Sequence, residues 1–134
     1  MSIPKRVAAI DVSHWHSAYD ASYLRVLRDL GCDIIGVSDR SERIASDRAQ
    51  RFGSRPFTDY RRMIEATKPE FVIALGRHCD MPDTFRFLVG AGVPFVMEKP
   101  WGTDAIPWPS SPALPPPRAR GCRSRSCPAT PSGQ

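Results

Sequence analysis

Most of the residues of this chain that could do chemistry fall in four short polar clusters: 11–16 (DVSHWH), 39–40 (DR), 76–80 (GRHCD) and 98–100 (EKP). Lys99, held rigid by the following Pro100, can donate to a substrate hydroxyl or carbonyl oxygen and stabilise the charge that develops on it. Glu98 can hold that ammonium by charge pairing, and an ordinary surface Glu–Lys pair is the plainer alternative. Asp39 can accept hydrogen bonds from the hydroxyls of a ribose, and Arg40 beside it can pair instead with a 2′-phosphate. The alternative for Asp39 is a solvated charge ahead of a helix cap at Ser41. His14 and His16, with His78, Cys79 and Asp80, have the residue types of a metal site. Histidines two apart in a loop fix no coordination geometry, and no carboxylate spacing completes one. A cleft lining, and no metal, is expected.

The elements that must position these clusters follow from apolar period and punctuation. Residues 6–12 (RVAAIDV) form a short apolar run suited to a buried parallel strand. So do 34–37, ending at Ser38-Asp39, and 71–75 (FVIAL), the most apolar of all. Residues 93–97 give another strand, which delivers Glu98, Lys99 and Pro100 at its carboxyl end. Between the strands run helical patterns. Tyr23, Leu24, Leu27 and Leu30 recur at helical spacing before Gly31. Ser41 caps a helix carrying Ile44, Ala45, Ala49 and Phe52 and closed by Gly53, and Asp59 caps a brief one through Ile64. Asp80 and Pro82 open a helix through Phe85 and Leu88 that stops near Gly90 and Gly92. Residues 55–57 suit a short edge strand, where Pro56 is tolerated. Strands alternating with helices mean an α/β fold, a doubly wound, Rossmann-like parallel sheet, and right-handed crossovers favour the order 3-2-1-4-5. Ligands of such sheets bind beyond the carboxyl ends of the strands, so the four clusters should converge on one edge.

The first of those strand ends departs from the dinucleotide-binding fingerprint. Gly-x-Gly-x-x-Gly lets backbone approach a pyrophosphate, and residues 11–16 contain no glycine. Ser13 is small enough for a moderately close approach, whereas Asp11 would repel phosphate if it pointed inward. The motif taken alone does not establish a nucleotide site.

The net charge of +5 does not mark a nucleic-acid binder. Arg118, Arg120, Arg123 and Arg125 are the only charged residues after Ala105, and without them 15 basic residues face 14 acidic ones. No basic stripe with interleaved aromatics crosses that near-neutral body, so no nucleic-acid partner is expected. No apolar run approaches the ~20 residues that cross a bilayer, and no signal-peptide core opens the chain, so no membrane partner and a cytoplasmic location are expected. Cys32, Cys79, Cys122 and Cys127 form no Cys-x-x-Cys pair and no zinc framework. Eight of the 14 prolines follow Ala105, and neither apolar period survives there. A Rossmann-like domain at 1–105 followed by a disordered Pro/Arg-rich tail at 106–134 is the expected organisation.

Met97-Glu98-Lys99-Pro100 (MEKP) after an apolar strand is similar to the Glu-Lys-Pro motif of the glucose–fructose oxidoreductase, inositol dehydrogenase and MocA (Gfo/Idh/MocA) family. VSDR at 37–40, TDYRRMI at 58–64 and PEFVIALGRH at 69–78 follow the order of that family's features, so the resemblance covers roughly residues 5–105. It implies an N-terminal domain that binds NAD or NADP, in an oxidoreductase passing hydride between the nicotinamide and a sugar or cyclitol carbon. It further implies that Asp39 meets the ribose and that Lys99 is the substrate-contacting lysine, with Glu98 beside it. Ser13, His14 and His16 would fall in the pyrophosphate loop, and Gly76 and His78 in the loop that usually reads Thr-Pro-Asn-His.

The family continues into a substrate domain that supplies a further catalytic Asp or His, which this chain does not span. A truncated chain is expected, incomplete at the C-terminal edge of its sheet and inactive alone, whose full-length form takes a small-molecule sugar or polyol. A shifted frame in a GC-rich gene would produce Pro, Arg, Ala, Ser and Gly, as in the tail. Back-translation one base upstream permits Asp, a small residue, Val or Leu and a forced Ala after Ala105, then Val-Pro-Val-Pro-Leu-Pro, similar to the family's next strand. The expectation is the frameshifted front half of a longer enzyme. A non-catalytic nucleotide-binding module with a Pro-rich docking tail is the alternative, and a doubly wound regulator without nicotinamide is a third reading.

Overall fold

A computed structural model describes residues 3–17 and 23–99 of the 134; Pro100 and the tail expected at 106–134 lie outside the described residues. The chain runs from β1 (Arg6–Ile10) through a 3₁₀ turn (Trp15–Ser17) to α1 (Tyr23–Asp29) and β2 (Asp33–Ser38). Next come α2 (Glu42–Phe52), β3 (Arg55–Phe57), α3 (Tyr60–Thr67), β4 (Phe71–Ala74), α4 (Met81–Ala91) and β5 (Phe95–Met97). Neighbouring strands all pair in parallel, and the sheet order is β3-β2-β1-β4-β5, as the alternation of elements predicts.

Period-two alternation along β1 divides the core. Val7 and Ala9 join Leu24 of α1 and Ala49 of α2 in one buried cluster, with Val12, Cys32, Ile34 and Val37. Ala8 and Ile10 join Met63 and Ile64 of α3 and Leu88 of α4 in the other, with Val72 and Ala74. Val7 through Ile10 are all fully buried, so the central strand has no polar face, as helices on both sides require.

The helix ends mostly follow the expected punctuation. The Ser41 hydroxyl accepts from the Ile44 N–H at 3.5 Å, and α2 closes at Gly53 in the left-handed conformation, φ 67°. The Asp59 carboxylate accepts from the Arg61 N–H at 2.8 Å. Helix α3 continues past the expected end at Ile64 because its buried face extends to Thr67, whose hydroxyl donates back to the Met63 carbonyl.

Two expectations are corrected. Tyr23 and Leu30, read as part of the apolar stripe of α1, are 40% and 56% exposed, and Leu24 is the residue that the helix buries fully. Asp80 opens α4 as expected, its carbonyl accepting from the Thr84 N–H (3.1 Å), while its side chain makes no capping bond and meets two arginines. Only Phe95–Met97 of the strand expected at 93–97 is paired as a strand, although the Pro94 carbonyl already accepts from the Val72 N–H. Among the described residues no helix is long and apolar enough to cross a membrane.

Candidate functional site

The parallel ladders continue past the strand ends and align the four polar clusters on one edge. Val12 N–H donates to the Ser38 carbonyl (3.1 Å) and Leu75 N–H to that of Ile10 (3.0 Å). Asp39 N–H donates to the Phe57 carbonyl (3.1 Å) and Glu98 N–H to that of Ala74 (2.9 Å). Strand order reverses between β1 and β4, so the loops at 11–16 and 76–80 flank the switch point at which doubly wound sheets take ligands.

Asp39 is not a solvated charge. It is 5% exposed; its Oδ2 accepts from the Ser13 N–H at 2.7 Å and its Oδ1 from the Ser41 N–H at 2.9 Å. One carboxylate thereby ties the loop after β1 to the loop after β2. Each oxygen retains acceptor capacity for a ligand hydroxyl. Other donors of the first loop are also engaged within the protein. His14 N–H donates to the Asp11 carbonyl (3.2 Å), His16 N–H to His14 Nδ1 (3.3 Å) and Ser17 N–H to the His14 carbonyl (2.9 Å). The Ser17 hydroxyl donates to the Val12 carbonyl.

Asp11 does point inward. Its φ of 56° is the left-handed conformation that the first glycine of the fingerprint would take freely, and aspartate tolerates it better than most residues. The carboxylate packs against buried Gly76 at the end of β4, where an added Cβ would stand 2.5 Å from Asp11 Oδ2. Burial first, then repulsion from Asp39 and Asp80, pushes the Asp11 pKa above the ordinary carboxylate value, with Arg40 and Arg77 opposing.

An open cleft of ≈ 240 Å³ adjoins it, and its lining includes Asp11, Ser38, Asp39, Thr58, Tyr60 and Asp80. Ser38 Oγ is buried there without a hydrogen-bond partner among the described residues, so it offers a donor and acceptor to a ligand. The Tyr60 phenol is pushed up chiefly by burial and stays neutral. Arg40 reaches from the β2 end to Asp80 Oδ2 at 2.8 Å, and Arg77 Nε meets the same oxygen at 2.8 Å.

A second group lies toward β5. Glu98, expected to hold the Lys99 ammonium, is engaged elsewhere: Tyr23 donates its hydroxyl to Glu98 Oε2 at 2.7 Å, and His16 Nδ1 lies 3.2 Å from that oxygen. The Tyr23 hydrogen bond foremost, with His16 adding, holds Glu98 below the usual carboxylate range and raises the Tyr23 phenol. His14 meets His16 edge-on, ring centroids 4.9 Å apart. Burial, then His16 and His78, depresses the His14 pKa against an opposing pull from Glu98, which keeps that ring neutral at pH 7. Lys99 stands exposed beyond Glu98. Among the described residues no three of His, Cys, Asp and Glu are arranged to hold a metal ion.

Every residue singled out from sequence therefore lies at this edge, in two groups: Ser13, Asp39 and Arg40 by the cleft, and His14, His16, His78 and Glu98 on the other side, with Gly76 between and Lys99 outermost. Tyr23 was not anticipated, because its helical spacing from Leu24 and Leu27 matches that of a core residue. Nothing local pairs its hydroxyl with a carboxylate 75 residues away.

Strand order, crossovers and a cleft at the switch point define a doubly wound α/β fold of the nucleotide-binding kind. Solved enzymes share it. The chain is similar in structure to UDP-N-acetylglucosamine 3-dehydrogenase from Acidithiobacillus ferrooxidans, with a TM-score of 0.61 and 19% identity over 77% of this chain and 32% of that one. It is similar to myo-inositol 2-dehydrogenase from Lactobacillus plantarum (0.64, 19%, covering 77% and 30%). It is likewise similar to a 3-ketoreductase from Actinomadura kijaniata in complex with NADP and TDP-benzene (0.62, 22%, covering 76% and 31%). At such identities the likeness is one of fold, and the chain spans under a third of the length of these proteins. No family model and no curated protein sequence matches it.

Proposed function

We propose that residues 1–105 are the nucleotide-binding unit of an NAD(P)-dependent oxidoreductase of the Gfo/Idh/MocA type, and that residues 106–134 form a tail without part in the chemistry. The reaction is hydride transfer between the nicotinamide and a hydroxyl-bearing carbon of a sugar or cyclitol. The observation that carries this reading is the convergence of the Asp39 and Glu98-Lys99 strand ends on the switch-point edge of a sheet ordered 3-2-1-4-5. Dehydrogenases and reductases of the same fold, one holding NADP and another, from gentamicin A biosynthesis, holding NAD, support it.

The adenosine half of a dinucleotide fits the cleft. Its ribose hydroxyls would donate to Asp39 and satisfy the buried Ser38 Oγ, and Arg40 would answer a 2′-phosphate by leaving Asp80. Ser13, His14 and His16 would flank the phosphates, and Gly76, His78 and Glu98 the path toward the nicotinamide. When bound, the nicotinamide gives or takes the hydride. Lys99 donates to the substrate oxygen and stabilises its developing negative charge. A cytoplasmic site of action accords with the buried thiol of Cys32.

Calorimetric titration of the 134-residue chain with NAD and NADP tests the reading. Saturable binding is expected, weakened about tenfold or more in Asp39→Ala by loss of a charge-assisted hydrogen bond. Absence of binding by either dinucleotide would overturn it. Polyol oxidation by these 134 residues, which span under a third of the length of the similar enzymes, should be undetectable, and steady NADH production dependent on Lys99 would contradict that part.

A further inference from the structure

We infer that Asp11 sets how tightly this site holds a dinucleotide, because its carboxylate stands at the switch point where the diphosphate bridge would lie and acts against it. This rests on the nucleotide-binding reading and deepens it.

The position is fixed by backbone. Asp11 follows the last residue of β1 and faces the end of β4, to which β1 is tied by the Leu75 N–H to Ile10 carbonyl bond. Its carboxylate packs against the Cα of Gly76, with no room there for a Cβ. A diphosphate crossing from β1 to β4 would meet this carboxylate first. Backbone N–H groups of a glycine-rich loop normally offset the phosphate charge at this point. Here the N–H groups of Val12, Ser13, His14, His16 and Ser17 are all directed to acceptors within the protein.

The surrounding charges add to the effect. Asp39 from the β2 end and Asp80 ahead of α4 face Asp11 on the acidic side, Arg40 and Arg77 on the basic side, and the Tyr60 phenol of α3 stands nearby uncharged. Both guanidiniums meet Asp80. A diphosphate therefore enters most readily once Asp11 takes up a proton, which its raised pKa assists. An uncharged nucleoside meets no such barrier. His14, toward β5, is not among the groups that act on Asp11, so variants at Asp11 separate its effect from that of the carboxylate.

The test is titration of the 134-residue chain with NAD, and separately with adenosine, at about pH 8 and at successively lower pH, beside Asp11→Asn and Asp11→Gly. Glycine suits the left-handed backbone at this position, so the second variant should fold even if the first does not. At the higher pH both variants should bind NAD about tenfold or more tightly than the parent, with adenosine affinity within about twofold. Acidification through the raised folded pKa of Asp11 should tighten NAD binding by the parent more than by either variant. Equal NAD affinity in parent and variants would overturn the role of Asp11, as would an equal gain for adenosine. NAD binding by none of the three would remove the nucleotide-binding reading itself.

Discussion

Asp11 and Gly76 are best understood as one interaction. The Asp11 carboxylate occupies the space that any other residue at 76 would need for its Cβ, at 2.5 Å from Oδ2. Gly76→Ala should therefore cost about 1–3 kcal/mol by overpacking. Adding Asp11→Gly should return much of that loss, a coupling of about 0.5–3 kcal/mol in a double-mutant cycle read by urea unfolding. Strict additivity would show that the two residues do not compete for space. Asp11 also carries a pH signature. Its folded-state pKa is raised, so its contribution to stability is complete below the ordinary value of 3.8 and is lost as pH climbs through the folded value. Asp11→Asn should accordingly be more stable than the parent at pH 7, with the difference shrinking toward about pH 4. A difference that grows on acidification would reverse the assignment. Sequence could supply only the condition, that an inward Asp11 repels phosphate. Whether it points inward depends on residue 76 across the switch point, which only the β1–β4 pairing brings near.

The elements themselves were largely legible, and where they were not, the reason lies in tertiary contact. Gly53, Asp59 and the apolar runs of β1 and β4 act where punctuation and period place them. Asp80 opens α4 as an aspartate ahead of a proline suggests, but Arg40, brought over from the β2 end, competes for its side chain, which makes no capping bond. The two genuine caps differ in quality. Asp59 accepts at 2.8 Å and Ser41 at 3.5 Å, near the limit at which a hydrogen bond retains strength. Asp59→Ala should cost about 0.5–2 kcal/mol, with Ser41→Ala at or below the bottom of that range, by chemical denaturation. A larger loss at Ser41 would mean that its backbone N–H, held by Asp39, matters less than its hydroxyl. The tie between α1 and β5 is also measurable. Tyr23→Phe removes the leading cause of the depressed Glu98 pKa, so that carboxyl should titrate closer to its ordinary 4.5 by NMR. No movement would place the cause elsewhere.

At the scale of the sheet, the two outer strands are unlike. Strand β3 carries Arg55 and Pro56 on its exposed positions, a charge and a missing donor that discourage pairing with another chain. Strand β5 is Phe95-Val96-Met97 and has neither device. Phe95 and Met97 pack into the cluster under α3 and α4, so alternation sends Val96 to the opposite face. There α1 and α2 pack over β1 and β2, α1 meets the chain just past β5 through Tyr23 and Glu98, and Val96 itself stays 49% exposed. Exposed apolar surface at this edge thus has a specific location, one face of one strand. Val96→Lys should lower concentration-dependent association in sedimentation velocity while leaving the melting temperature nearly unchanged, since little buried contact is lost. Unchanged association would mean that this face does not mediate it. A fall in melting temperature instead would mean that chain beyond Lys99 covers Val96, because a lysine is costly only where the apolar side chain it replaces was buried.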